Sequence, residues 1–394
     1  MDNFRIKKPT EYVFGTDAEK AAGDILKKYG ATNVLVHYGG GSVVRSGLLD
    51  TVKQSISAAG IRFTELGGAQ PNPIDSLIYK GIDICKENNI DFVLAVGGGS
   101  TIDSSKAIAA GALYDGDFWD FYDGKAETCK AVLPIGTVLT IPAAGSEGSN
   151  STVVNKVTGG GPVLKRAFVN DLLTPTFSLL NPVFNFTLPP FQTACGIADM
   201  IAHVMERYFT NTKDVEVTDR LCEAILLSII KNAPIVLKEP ENYAARANIT
   251  WAGTIAHDGT CGVGREEDWS SHVLEHELSA LYDVAHGAGL AVIFPAWMQY
   301  VYKHDIERFR RFAVNVWGVE DGPDKEAVAL AGIAAIKEFF ASLGLPVNFA
   351  QLGAKKEDIN KLVEVIEINN PTGFGSFVKI DMAAARKIYE IAAE

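Results

Sequence analysis

Two kinds of hydrophobic patterning divide the chain. In the first half, short continuous apolar runs at Asn33–Tyr38 (NVLVHY) and Asp91–Val96 (DFVLAV) each end in Gly-Gly-Gly-Ser, at 39–42 and 97–100. Between them lie helical periodicity over Gly47–Ala59, a strand pattern at Ile61–Leu66 and a second helical stretch at Ile74–Asn88. A helix from Thr101 to Ala110 follows the second run, and Val138–Ile141 reads as one more strand. Strands without alternation, interleaved with helices, predict a parallel sheet covered on both faces.

The pattern changes at Leu188-Pro189-Pro190. Beyond it the periodicity is helical: Gln192–Phe209, Asp214–Leu237, Tyr243–Asp258, Ser270–Leu281, Gly289–His304, Lys325–Ser342 and Lys356–Glu367, with almost no strand signal. The expected organisation is an α/β domain with a parallel sheet at 1–188 and an all-helical domain at 189–394. A length of 394 residues suits two domains, and 47% hydrophobic with 21% charged residues is globular composition.

Net charge is −12, which argues against a nucleic-acid or anionic-membrane partner. The five cysteines are scattered without a CxxC, so neither a disulfide framework nor a thiolate zinc site is expected, and a reducing, cytoplasmic setting is. The opening MDNFRIKKPTEYVFG lacks the apolar core of a secretory signal, and no stretch approaches twenty uninterrupted apolar residues.

Glycines at the carboxyl end of a parallel strand let backbone approach a phosphate, and the following helix offers free N–H groups. Two such triplets, Gly39-Gly40-Gly41-Ser42 and Gly97-Gly98-Gly99-Ser100, point to a nucleotide; the plainer reading is two tight turns. Neither is GxGxxG, and no GxxxxGK[ST] occurs, so an ordinary Rossmann or P-loop assignment is not licensed. A third segment, Ala144-Gly145-Ser146-Glu147, follows the strand at 138–141.

Four of the seven histidines, all in the helical half, are the candidates: His203, His272, His276 and His286. Asp199 and His203, at i and i+4, share a helix face at roughly 5–6 Å between Cβ atoms. His272 and His276 repeat that spacing. A continuous helix would hold His286 roughly 21 Å from His272, so a common ion requires the helix to break, and Tyr282–Ala285 is the place. Such a cluster suits a divalent ion, Fe²⁺ or Zn²⁺, held without thiolate. Buried hydrogen-bonded imidazoles are the plain alternative. His272-Val273-Leu274-Glu275-His276 also matches the H-x-x-E-H peptidase pattern, with Glu275 as base, but that leaves the glycine loops unexplained.

The stretches NPVFNFTLPPFQTACGIADMIAHVMERYFT at 181–210 and DWSSHVLEHELSALYDVAHGAGLAVIFPAWM at 268–298 resemble the iron-containing alcohol dehydrogenases. The likeness is to the NADPH-dependent butanol dehydrogenase and aldehyde reductase branch. It implies a catalytic cleft between two domains, a homodimer, and small alcohol or aldehyde substrates. It assigns the metal to Asp199, His203, His272 and His286. The dinucleotide falls to Gly39–Ser42, Gly97–Ser100, Thr140 and Ser146, with Asp103 near the nicotinamide and Lys165 as the cofactor lysine. The family usually has Thr-Gly-Ser-Glu where this chain has Ala144-Gly145-Ser146-Glu147. Dehydroquinate synthase-like or glycerol dehydrogenase-like chemistry is the related alternative.

Two finer expectations follow. His276, one turn from His272, is the candidate proton relay, the alternative being a positioning role. The cofactor should be NADP(H): the first loop has no carboxylate to repel a 2′-phosphate, and Ser42 and Arg45 can bind one. Glu65, at the end of the second strand, is discounted. Trp251, Trp269 and Phe294 suggest an apolar substrate site.

Overall fold

The computed structural model describes residues 1–126, 129–159, 161 and 163–394. Two compact units emerge, one of Lys7–Leu188 and one of Met1–Ile6 with Pro189–Glu394. The first six residues join the helical unit through Met1, whose amino group donates to the Lys213 carbonyl, and Asp2, whose N–H donates to Gly264.

The first unit holds β1 (Glu11–Phe14), β2 (Asn33–Tyr38), β3 (Arg62–Leu66), β4 (Phe92–Gly97), β5 (Ile135–Leu139), β6 (Ser151–Val157), β7 (Val163–Val169) and β8 (Phe177–Leu180). Its helices are α1 (Ala22–Lys28), α2 (Gly41–Arg45), α3 (Leu48–Ala58), α4 (Asp75–Glu87) and α5 (Gly99–Ala112). Six strands form a parallel sheet in the order β1-β8-β5-β4-β2-β3. Alternate residues feed two cores. Leu35, Val93 and Ile135 pack with Ile78, Ile82 and Ile108 of α4 and α5. Val34, Val36, Leu94 and Val96 pack with Leu26, Val52 and Ile56 of α1 and α3. Burial on both faces explains the unbroken apolar runs.

Strand order reverses between β2 and β4: β2 is followed outward by β3, and β4 leads the other way to β5 and β8. At such a switch point the loops leaving adjacent strands splay apart and open a crevice. Both glycine triplets leave strands there, since Tyr38 is in register with Val96. The antiparallel hairpin β6–β7 docks beside it, Asn155 N–H donating to the Pro73 carbonyl at 2.8 Å.

The second unit contains α6 (Pro190–Tyr208), α7 (Glu216–Lys238), α8 (Tyr243–His257), α9 (Ser270–Tyr282), α10 (His286–Val301), α11 (Ile306–Trp317), α12 (Lys325–Ser342), α13 (Phe349–Leu352), α14 (Ile359–Asn369) and α15 (Met382–Ala392). α6 and α10 are buried almost all round, as core helices are, and the remaining helices wrap them. Among the described residues no helix is long and apolar enough to cross a membrane.

Candidate metal centre and nucleotide loops

Three helices bring the metal candidates together. Asp199 and His203 lie one turn apart on α6, and His203 Nδ1 donates to the Asp199 carbonyl at 2.9 Å, with Oδ1 at 3.0 Å. α9 stops at Tyr282; Asp283 takes a left-handed φ of 51°, and α10 starts at His286. That break turns His286 back toward α6. Gly287 permits the approach, because a Cβ there would sit 1.9 Å from the Cys195 carbonyl oxygen.

Asp199, His272 and His286 each place one ligand atom within 4.8 Å of the others. His203 lies outside that triple, although its ring is 4.7 Å from that of His272. His276 is half-buried, 5.7 Å from His286 between ring centres, and with Glu275 and His286 forms a second possible donor triple.

The outer nitrogens are tied down. His272 Nδ1 donates to Glu206 Oε1 at 2.9 Å, and the backbone N–H of His272 reaches the same oxygen at 3.0 Å. His286 Nδ1 bonds Glu275 Oε2, whose other oxygen accepts from Ser279. With Nδ1 spent on a carboxylate, each ring keeps its Nε2 lone pair for another partner. His272 Nε2 is buried and has no hydrogen-bond partner, and Asp199 Oδ1, also buried, has only the 3.0 Å contact with His203 Nδ1, which Nδ1 shares with the Asp199 carbonyl. Buried polar atoms are seldom left so, and a cation among them satisfies both.

Electrostatics agree. Burial pushes the Asp199 carboxyl up, but His203 and His286 outweigh it and hold the group below the usual range. Burial, then the neighbouring His203, His286, His276 and His257, drive His272 well down, so it is a neutral donor atom. Burial and Asp268 push Glu206 well up.

Two further groups border the cluster. Trp269 packs 5.1 Å from His272 and carries the Arg207 guanidinium 4.6 Å above its ring. Arg207 also donates to His257 Nδ1 at 2.8 Å, and the His257 ring is 4.3 Å from His203. Of the three aromatic residues expected to line a substrate site, only Trp269 adjoins the histidines. Trp251 is exposed, and Phe294 is core packed on Trp297. The peptidase reading is corrected here: Glu275 is fully buried and engaged by His286 and Ser279, with no position from which to activate water.

In the first unit the loops converge. A Cβ on Gly97 would lie 2.4 Å from Thr101 Oγ1, and one on Gly39 would meet the same atom at 3.4 Å. Thr140 N–H donates to the Gly97 carbonyl at 3.0 Å, placing the third loop beside the second. Gly98 and Gly99, with Ser100 next in α5, face that loop: Cβ atoms there would come 3.2 Å from Ile141 and Ala144. Gly40 and Ser42 flank Gly41, over which Arg45 folds its guanidinium; a Cβ on Gly41 would be 2.4 Å from Nη1. Glu65 is held by Lys53 at 2.8 Å. Lys165, buried on β7, donates to Asn72 Oδ1 at 3.2 Å. Asp103 accepts from Ser146 Oγ at 2.6 Å and from Val153 N–H at 3.0 Å.

Sequence reasoning missed Glu206 and Lys106. Glu206 stands three residues after His203 and seven after Asp199, on the same helix face. Lys106 is the one charge amid the small apolar residues of 104–112. Those were the available signals.

A parallel sheet with glycine loops at its switch point, and helices gathering a carboxylate and histidines, define a metal-dependent dinucleotide oxidoreductase. Residues 9–182 match the iron-containing alcohol dehydrogenase domain, and residues 193–392 match the C-terminal domain of the Fe-containing alcohol dehydrogenase family. The chain belongs to that family, and its chemistry is alcohol and aldehyde interconversion. It is 42% identical to a probable NADH-dependent butanol dehydrogenase of Bacillus subtilis, over 98% of this chain and 99% of the relative. It is 38% identical to the NADPH-dependent aldehyde reductase YqhD of Escherichia coli, over the whole of both. The crystal structure of an NADH-dependent butanol dehydrogenase A from Thermotoga maritima superposes with a TM-score of 0.96 at 38% identity, covering 100% of this chain and 99% of that one.

Proposed function

We propose that the protein reduces small, largely apolar aldehydes to primary alcohols with NADPH, using one divalent ion, Fe²⁺ or Zn²⁺, held by Asp199, His203, His272 and His286. The observation that carries the metal assignment is the buried His272 Nε2, left without a hydrogen-bond partner within reach of Asp199 and His286. Bound together, the ion would supply Lewis-acid polarisation of the carbonyl and the nicotinamide the hydride. The chain's own residues do the rest. Glu206 and Glu275 fix two imidazoles with Nε2 free. Trp269, with Arg207 over its ring, packs against His203 and His272. His276, half-buried beside His286, passes a proton to the product oxygen or positions the group that does. Gly39–Ser42, Gly97–Ser100, Thr140 and Ser146 cradle the dinucleotide, and Lys165 and Asp103 border it.

Support for NADPH is local to the first loop: no carboxylate, the Arg45 guanidinium over Gly41, and Glu65 neutralised by Lys53. One charge-assisted hydrogen bond contributes on the order of 1.5–3 kcal/mol, roughly a ten- to hundredfold preference. The test is kcat/KM with butanal and each cofactor. Faster turnover with NADH, the cofactor in the name of the Bacillus subtilis relative, would overturn the preference. No turnover with either cofactor would overturn the reading altogether.

A further inference from the structure

Lys106 is fully buried in the middle of α5. A buried ammonium is costly unless oxygen atoms surround it. Here five do: Ser146 O at 2.7 Å, Ser146 Oγ at 3.0 Å, Ser149 O at 2.9 Å, Ser149 Oγ at 3.2 Å and Ser151 O at 2.9 Å. Every one comes from residues 146–151, which run from the third loop into the first residue of β6. Asp103, nearly one turn earlier on α5, grips the same segment through Ser146 Oγ, Val153 N–H and the hydroxyl of Thr152. The segment's own backbone offers little: Gly148 to Gly145 at 3.0 Å and Ser149 to Ser146 at 3.4 Å are its turn bonds.

The cage also orients peptide groups. Among the described residues all peptide bonds are trans, so a carbonyl aimed at Lys106 sets the following N–H in the opposite direction. The amides of Glu147 and Asn150 therefore point away from the ammonium, while the next one, Thr152 N–H, faces β7 in the hairpin. Oriented amide donors are what a nucleotide's oxygens require.

We propose that Lys106 is a positioning residue for the nucleotide: it acts as a built-in cation that folds segment 146–151 and presents the third loop to the cofactor. The role rests on the dinucleotide reading of these loops given above. Lys106 touches no substrate in this scheme; it works through the loop. Burial pulls its ammonium down to about 8 against the upward pull of Asp103 and Glu147. Removing the charge while keeping the chain length should loosen the segment and weaken cofactor binding, and leave the helical unit untouched.

The experiment compares the full-length metal-loaded protein with Lys106→Met. Two readouts are taken: NADPH affinity by fluorescence titration, and amide hydrogen exchange across the first unit. Lys106→Met should raise the NADPH Kd by about tenfold or more, with metal content and KM for butanal unchanged. Exchange should accelerate at 146–152 and not in β2 or β4. An unchanged Kd in a folded variant overturns the proposal, as does acceleration spread evenly over the sheet, which marks a merely structural lysine. If Lys106→Met does not fold, Ser149→Ala removes one of the five oxygens from a residue outside the proposed cradle and should shift both readouts the same way, less strongly; no shift in either overturns the role. Failure of NADPH to bind the unmodified protein would sink the dinucleotide reading instead, and the exchange pattern would still decide whether Lys106 folds the loop.

Discussion

His286 is the residue on which the metal assignment is most exposed to test, because α10 exists in its position only by virtue of the break after Tyr282. His286→Ala should lose metal and turnover together, and full occupancy by elemental analysis would sink the ligand set. Glu206→Gln should keep the fold but weaken metal binding roughly ten- to hundredfold, read by competition with a chelator. His37 makes a prediction of another kind. Buried in β2, it bonds the Leu66 carbonyl through Nδ1 at 2.8 Å and Ser104 Oγ through Nε2 at 2.6 Å. Burial lowers its pKa from 6.5 to about 4. Between those values the unfolded chain binds the extra proton, so stability falls as pH falls through that window and is fully present above it. The loss is on the order of 3 kcal/mol. Resistance of the first unit to denaturation should therefore weaken as pH falls from 6.5 to 4, and His37→Asn should flatten that slope. An identical slope in the variant would contradict the account.

At the scale of elements, the close contact between α6 and α10 depends on Gly287, whose missing Cβ leaves room for the Cys195 carbonyl. Gly287→Ala should destabilise the helical unit by about 1–3 kcal/mol and weaken the metal site with it. Gly322→Ala, with nothing within 4 Å of the added carbon, is the control. Unaltered metal affinity in the first variant would show that the helices adjust freely. Elements with long uniform signals were readable from sequence: β2, β4 and α12 fall within a residue or so of their expected bounds. Short ones were not. β1 and β8 have four residues each, too few for a period, and the hairpin β6–β7 gave no distinct pattern. α11 and α15 also went unread. β5 runs 135–139 rather than 138–141 because Gly136 looks like a turn signal. In the sheet it is required, since a Cβ there would lie 2.4 Å from the Phe177 ring. Helical spacing marked out the candidate ligands, whereas Glu206 and Lys106 owe their contacts to partners 66 and 40 or more residues away, which no local pattern encodes.

Over the whole molecule, the metal candidates belong to one compact unit and the glycine loops to the other. Removing the ion with a chelator should abolish turnover while leaving NADPH affinity within about threefold, since the loops proposed to hold the nucleotide contain none of the candidate ligands. Restoring Fe²⁺ or Zn²⁺ should return activity. A collapse of NADPH binding on chelation would show that the ion carries much of the cofactor's affinity.

The pairing of β1 with β8 joins residues Glu11 and Phe177 and reaches across nearly all of the first unit. On a ribosome, β2 to β5 are available long before β8 exists. Until then β5, buried along its whole length in the finished fold, is an open apolar edge. Pairings so distant in sequence form slowly, because the intervening chain must first be ordered. Interrupted synthesis or proteolysis before residue 177 would thus leave a sticky half-sheet, and aggregation of such fragments should begin at β5.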